Sequence, residues 1–231
     1  MKTIGVLGGL GPQATMDFEA RVHAVAQRLI PQIANTGYPP MIVWYLRCAP
    51  LILAPDYRPV LPPQPEPRLL EAARQLGPLA DFLVITANAP HLFQREIEEA
   101  AGRPILSIID LAVAEVQRRG WRKVGVLGMG GPRAYAGRLG QLGIAAESIG
   151  ADLQEQLDRS ILAVQEGAAG PGARMIGREA MAALRRQAVD GIVLGCTELP
   201  FLLDYDVADP SVIDPMQLLA EAAVREAMQE A

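Results

Sequence analysis

Short apolar runs alternate along the whole chain with longer segments that have the apolar spacing of helices. The short runs are almost wholly apolar, which is typical of strands covered by helices on both faces of a sheet. They predict strands at residues 4–7, 41–45, 82–86, 105–108, 124–127, 192–195 and 211–213. The intervening segments predict helices at residues 12–29, 68–76, 92–101, 110–119, 133–142, 152–166, 173–188 and 216–229. This alternation predicts an α/β fold with mostly parallel sheets.

Two internal matches indicate that the second half of the chain is a distant copy of the first. Residues 4–14 resemble residues 124–134 at an offset of 120, and residues 80–84 resemble 189–193 at an offset of 109. The first match alone could be two independent strand–turn–helix units, but two matches in the same order favour duplication. They predict two similar Rossmann-like lobes related by a pseudo-twofold axis, with a ligand cleft between them. We expect an N-terminal lobe of residues 1–103 plus 211–231 and a C-terminal lobe of residues 104–210.

The second match gives Ala87 and Cys196 equivalent positions. Each lies six residues after the aspartate of its copy, Asp81 or Asp190, and just past the end of a predicted strand. Open α/β sheets bind ligands at this carboxyl edge. If the lobes face each other, Ala87 and Cys196 flank one cleft from opposite sides.

Composition and charge exclude several classes of protein. A net charge of −5 and the absence of a basic stripe with interleaved aromatic residues argue against nucleic-acid binding. No run of 18 apolar residues predicts a membrane span, and the N-terminus lacks a signal-peptide pattern, so we expect a cytoplasmic protein. Its two cysteines are then expected to be free thiols. Two histidines without a Cys/His cluster predict no metal site.

The segment from Gly9 to Ala14 matches the dinucleotide fingerprint G-x-G-x-x-A between a predicted strand and helix. The fingerprint also needs an acidic residue about 20 positions on, and residues 21–55 contain none. The remaining interpretation is that the N-terminus of this helix binds a small anion such as a carboxylate. A Schiff-base cofactor is also disfavoured, because Lys2 and Lys123 both precede strands, away from the carboxyl edge. We therefore expect no cofactor.

Three residues near the predicted carboxyl edges are candidates for chemistry. Cys196 lies among Gly, Thr and Glu, where nearby backbone N–H groups could lower its pKa and stabilise an oxyanion; a buried structural cysteine is the alternative. His91 is either a structural cap of the following helix or an acid–base group. Cys48 is expected to fill core space.

The segments from Lys2 to Thr15 and from Leu194 to Pro200, together with Ile213-Asp214-Pro215, resemble the aspartate/glutamate racemase family over essentially the whole chain. The resemblance implies two similar α/β lobes, a homodimer and stereoinversion without a cofactor. In that mechanism one cysteine removes the α-proton of an amino acid and a second returns a proton on the opposite face.

The resemblance also implies site residues. Cys196 corresponds to the second catalytic cysteine, and Ala87 occupies the position of the first. The expected substrate-binding residues are Leu10, Gly11, Thr86, Asn88, Ala89, His91, Thr197 and Glu198.

Ala87-Asn88-Ala89 departs from the family pattern Cys-Asn-Thr, and alanine carries no proton to exchange. We therefore expect a cofactor-independent amino-acid racemase with Cys196 as the surviving acid/base and a water, Thr86 or His91 serving the opposite face. The alternatives are a single-cysteine lyase similar to arylmalonate decarboxylases, and an inactive homologue that binds small carboxylates. The expected partner is a small carboxylate or amino acid.

Overall fold

A computed structural model describes residues 1–55, 59–207 and 209–229 of the chain. The chain divides into two compact units, Met1–Ile108 with Met216–Ala231, and Ile109–Pro215. The unit boundaries after residues 108 and 215 lie five residues beyond the predicted lobe boundaries at 103 and 210. Residues 56–58, 208, 230 and 231, which the predicted lobes include, lie outside the described residues.

The first unit is built on a four-stranded parallel sheet with the order β2-β1-β3-β4. Its strands are β1 (Ile4–Gly8), β2 (Met41–Tyr45), β3 (Phe82–Ile85) and β4 (Ile105–Leu106). Its helices are α1 (Pro12–Leu29), α2 (Pro67–Leu76), α3 (Gln94–Ala101) and, except for its first residue, α8 (Pro215–Ala227).

The second unit repeats this plan with the order β6-β5-β7-β8, again parallel throughout. Its strands are β5 (Lys123–Leu127), β6 (Ala145–Glu147), β7 (Gly191–Leu194) and β8 (Val212–Ile213). Its helices are α4 (Ile108–Arg118, except for Ile108 itself), α5 (Arg133–Gln141), α6 (Ala151–Gln165) and α7 (Pro171–Arg185).

The pairing of the central strands reproduces both sequence offsets. In the first unit β1 pairs with β3 from Ile4↔Phe82 to Leu7↔Ile85. In the second unit β5 pairs with β7 from Val124↔Gly191 to Leu127↔Leu194. These pairs differ by 120 residues on one strand and by 109 on the other, so the prediction of two similar Rossmann-like units is confirmed.

One glycine in β1 and one in β5 let a helix pack closely on each sheet. An added Cβ at Gly5 of β1 would lie 3.2 Å from Leu76 Cγ of α2, and one at Gly125 of β5 would lie 2.8 Å from Leu184 Cδ1 of α7. Both leucines are fully buried in the core of their own unit. Each contributes about 1.5–3 kcal/mol through burial, which a bulkier residue in the strand would reduce.

Some predicted element boundaries were wrong. Residue Ile108 begins α4 instead of ending β4, because an apolar run does not distinguish a strand from the start of a buried helix. The preceding Ser107 is a residue type that favours helix starts. The edge strand β6 was missed, since Ala and Glu have low strand propensity. Residues 92–93, predicted as α-helix, belong to a 3-10 turn over Ala89–Phe93.

Candidate active site

Cys196 lies two residues after Leu194, the last residue of β7, at the carboxyl edge of the second sheet. The intervening Gly195 is in close contact with β5: an added Cβ would lie 2.9 Å from Leu127 O. A glycine is therefore needed for the chain to turn directly off the strand. This turn leaves Cys196 half-buried at the sheet edge.

The Cys196 thiol is bonded to a carboxylate from its own loop. Its Sγ atom donates to Glu198 Oε2 at 3.0 Å. Two backbone N–H groups, of Glu198 and of Met129, also lie against the sulfur. The sulfur thus has an acceptor for its proton and donors for the negative charge that remains when the proton leaves.

Glu198 is a buried acid whose carboxylate accepts hydrogen bonds from three side chains. Only 3% of the residue is exposed. Its Oε2 also accepts from Thr197 Oγ1 at 3.2 Å, and its Oε1 accepts from Gln165 Nε2 at 3.0 Å. The carboxylate therefore lies behind the thiol and is held by α6.

Burial raises the pKa of the Cys196 thiol well above its usual range, and the negative charge of Glu198 raises the pKa further. The N–H groups of Glu198 and Met129 lower the pKa, but they are the weaker influence. The resting group at neutral pH is consequently a thiol, which is the form that delivers a proton. The expected lowering by backbone N–H groups is therefore present, but burial and the carboxylate outweigh it.

A fully buried tyrosine lies beneath the same edge. An added Cβ at Gly195 would lie 3.1 Å from Tyr135 Cε2. Burial raises the pKa of Tyr135, and nearby charge at Cys196 and Asp214 raises it further. Tyr135 therefore stays protonated and forms the floor of the site.

Ala87 occupies the equivalent position in the first unit, two residues after Ile85 of β3. It is half-buried, and its carbonyl oxygen lies 3.0 Å from His91 Nδ1. In this contact Nδ1 is the donor, because a carbonyl oxygen only accepts. His91 and Asn88 are both more than nine-tenths buried within the 3-10 turn and its start, and Ala89 is half-buried beside them.

Thr86 joins the end of β3 to the loop before α1. Its side chain is fully buried, and its Oγ1 lies 2.8 Å from Thr15 Oγ1. Thr15 Oγ1 in turn accepts from the N–H of Gly9 at 2.8 Å. The hydroxyl pair therefore holds in place the loop that carries Leu10 and Gly11.

Cys48 and Leu10 pack against the same apolar cluster of the first unit as Ala87. Cys48 also borders a cavity of about 280 Å³ whose lining includes Trp44, Arg47 and Arg68. Burial raises the pKa of Cys48, and the Arg68 guanidinium opposes part of this shift. The sequence predicted Cys48 in the core beside Arg47 but did not predict Arg68 next to it, since Arg68 approaches from α2.

In the described part of the chain, no three His, Cys, Asp or Glu side chains gather where they could hold a metal ion. None of the described helices is long and apolar enough to cross a membrane.

The sequence model described as Asp/Glu/Hydantoin racemase matches residues 7–223, which is nearly the whole chain. The chain belongs to this racemase family. The broad specificity amino-acid racemase RacX of Bacillus subtilis (strain 168) is 25% identical over 225 residues and covers 96% of both chains. An aspartate racemase homologue from Pyrococcus horikoshii OT3 is 25% identical, with a TM-score of 0.75 over 99% of this chain and 100% of the other.

A mutant of arylmalonate decarboxylase in its liganded form is a more distant structural neighbour. It is 16% identical and has a TM-score of 0.53 over all of this chain and 94% of the other. That likeness extends to the fold alone. The decarboxylase alternative is therefore weaker than the racemase interpretation.

The structure groups the predicted site residues by unit at the carboxyl edges of the two sheets. Cys196, Thr197 and Glu198 follow β7, and Thr86, Ala87, Asn88, Ala89 and His91 follow β3, while Leu10 and Gly11 follow β1. Sequence reasoning missed Gln165, which holds Glu198 from 33 residues away. No local sequence pattern predicts such a contact, because α6 lies next to the loop after β7 only in the folded unit.

Proposed function

We propose that this protein is an amino-acid racemase-type isomerase in which Cys196 takes and returns the α-proton without a cofactor. The observation that carries the proposal is the Cys196 Sγ–Glu198 Oε2 bond of 3.0 Å at the carboxyl edge of β7. This bond provides a proton acceptor for the Cys196 thiol. Cys196 follows the central strand β7 and is the only cysteine in the described part of the second unit.

The proton balance of the first half-reaction uses these two residues. The thiol proton passes from Sγ to Glu198 Oε2, which leaves a thiolate that the N–H groups of Met129 and Glu198 stabilise. The thiolate then accepts the proton of the substrate Cα–H bond, whose electron pair moves into the carboxylate as an enediolate. Return of the proton from Sγ to Cα restores the original configuration, whereas a proton from the opposite face inverts it.

The opposite face is the part of the cycle in which this chain departs from its family. The family resemblance assigns Ala87 to the position of the first catalytic cysteine, and alanine carries no proton to exchange, so we expect α-proton exchange to be faster than inversion. Thr86 directly precedes Ala87, His91 Nδ1 lies 3.0 Å from the carbonyl oxygen of Ala87, and a bound water is the third candidate source of a proton. Thr86→Val and His91→Gln variants separate these sources, since each removes one of them.

The test is α-proton exchange in D₂O with a panel of L- and D-amino acids, followed by NMR and by chiral chromatography. We expect loss of the α-proton signal with slower inversion, and loss of both in Cys196→Ala. The matched control is Cys48→Ala, which removes the other thiol of the chain and should retain exchange. Exchange that persists in Cys196→Ala contradicts the proposal. The absence of exchange with every amino acid of the panel also contradicts it.

Ala87 also favours a second candidate, a lyase that needs only one cysteine. Loss of CO₂ from a disubstituted malonate would create the same enediolate, and Cys196 would protonate it once. The same protein incubated with arylmalonates distinguishes this candidate by CO₂ release. If neither exchange nor CO₂ release occurs, binding of small carboxylates without turnover becomes the favoured function.

We propose a small-molecule amino acid as the ligand of this site. A homodimer and a cytoplasmic location stay predictions. Sedimentation at micromolar concentration tests the first of them.

A further inference from the structure

The loop between β5 and α5, residues 128–132, lies directly against the Cys196 thiol. The N–H of Met129 lies on the sulfur, and an added Cβ at Gly128 would lie 2.9 Å from Gly195 O. A group that reacts at the thiol is therefore next to this loop, and Arg133 follows the loop as the first residue of α5.

The N–H groups in the middle of this loop are already used. Met129 directs its N–H to the thiol, Gly130 donates to Asp158 Oδ1 at 3.0 Å, and Gly131 donates to Gly128 O at 3.1 Å. Gln154 secures this arrangement, since its Nε2 donates both to Gly128 O at 2.8 Å and to Asp158 Oδ1 at 2.7 Å. The turn therefore cannot offer these N–H groups to an anion, and Asp158 adds negative charge beside it.

Arg133 supplies the positive charge that the loop lacks. Its Cζ, Nε and Nη1 atoms each lie 4.0 Å from the position of an added Cβ on Gly130, so the exposed side chain folds back over the loop. Within the described residues its guanidinium has no hydrogen bond or ion pair, whereas Arg138 on the same helix pairs with Asp110. A guanidinium is suited to bind both oxygens of a carboxylate.

We propose that Arg133 binds the α-carboxylate of the substrate at the Cys196 site. This inference rests on the proposed function, because the thiol reacts at the carbon that carries this carboxylate. The charge that develops on the carboxylate oxygens as the α-proton leaves then faces the guanidinium, which stabilises it. Arg133 therefore requires a free α-carboxylate in every substrate and is indifferent to the side chain.

The first experiment does not depend on turnover. Iodoacetate and iodoacetamide alkylate the same thiolate with loss of iodide, but only iodoacetate carries a carboxylate. We expect the iodoacetate-to-iodoacetamide rate ratio at Cys196, measured by peptide mass spectrometry, to fall roughly three- to tenfold in Arg133→Gln. Arg138→Gln removes the same charge from the same helix and should leave the ratio at Cys196 unchanged. The ratio at Cys48, measured in the same samples, should not differ between the proteins. An unaltered ratio in Arg133→Gln overturns the proposal.

The second experiment compares amino acids with their α-carboxamides in the D₂O exchange assay. In Arg133→Gln, kcat/KM should fall about 100-fold for all free amino acids and by less than about twofold for the amides, with partial recovery in Arg133→Lys. A loss confined to aspartate and glutamate would assign Arg133 to the side-chain carboxylate instead. An equal loss for acids and amides would show a structural role. If the wild-type protein exchanges no amino acid, the proposed function fails, and the alkylation ratio still decides the role of Arg133.

Discussion

The Sγ atom of Cys196 donates to Glu198 Oε2 at 3.0 Å, and this bond joins the reactive group to a buried negative charge. It has two opposite consequences. The carboxylate raises the pKa of the thiol, which disfavours the thiolate, and it also offers an acceptor for the proton that must leave. A variant at Glu198 separates the two effects.

We predict that Glu198→Gln increases chemical reactivity at Cys196 and decreases catalysis. Without the charge the pKa of the thiol falls, so alkylation by iodoacetamide at pH 8 should rise roughly three- to tenfold, and its rise with pH should begin at lower pH. Exchange of the α-proton should nevertheless drop about 10- to 100-fold, because the amide cannot accept the thiol proton. The exposed Glu166→Gln is the matched control, with neither rate changed. A parallel fall of both rates would indicate only a structural role.

The family resemblance, which gives Ala87 the position of the first catalytic cysteine, predicts that a cysteine at position 87 restores inversion. In Ala87→Cys we expect inversion to rise by about 100-fold relative to Ala87→Ser, while exchange catalysed by Cys196 changes little. The position is half-buried and follows β3 as Cys196 follows β7. Chiral chromatography in H₂O together with NMR in D₂O gives the two rates. If inversion does not increase, Ala87 is not the position of the missing acid.

Gly195 is predicted to be indispensable for the position of Cys196. In Gly195→Ala the new Cβ would meet Leu127 O and Val126 Cγ1, both at 2.9 Å, so we expect a loss of about 2–4 kcal/mol in the free energy of unfolding and impaired exchange. Gly137→Ala in α5 is the control, since an added Cβ meets nothing within 4 Å there. That variant should gain about 0.5–1 kcal/mol, because alanine favours helix. Equal stability of the two variants in urea would contradict this account of Gly195.

The acid stability of the second unit should depend on Glu115. Hydrogen bonds from Arg118 and then Arg119 lower the pKa of this carboxyl from 4.5 to about 2, although burial opposes them. A lowered folded-state pKa stabilises the protein above pH 4.5, and this contribution disappears as the pH falls toward 2. Glu115→Gln should therefore cost about 1–3 kcal/mol at pH 7 and close to nothing at pH 2, measured by urea unfolding.

The control for this prediction is Glu155→Gln, which removes an exposed pair with Arg159. It should change the free energy of unfolding by less than about 0.5 kcal/mol at both pH values. A Glu115→Gln cost that does not vary with pH would attribute the effect to lost packing and not to ionisation.

Most of the fold was predictable because it depends on local patterns. The apolar runs of β1, β3, β5 and β7 are long enough to identify strands, and the offsets of 120 and 109 residues were correct to the residue. The sequence failed where the local signal is weak, at the edge strand Ala145–Glu147 and at Ile108. In the candidate site it predicted Cys196, whose context of glycine, threonine and glutamate lies within the same short segment.

The partners of these groups were decided by the tertiary structure. The bond from Gln165 to Glu198 joins residues 33 positions apart, and that from Gly130 to Asp158 joins residues 28 apart. Both contacts depend on how α6 packs against its sheet, which no pattern of nearby residues determines. The protonation of Cys196 follows from burial and from the Glu198 carboxylate that Gln165 holds, and the positive charge near residues 128–132 comes from Arg133. The sequence by itself therefore determined which elements form and which residues follow them, whereas the environment of the thiol required the fold, because burial and charge act through space.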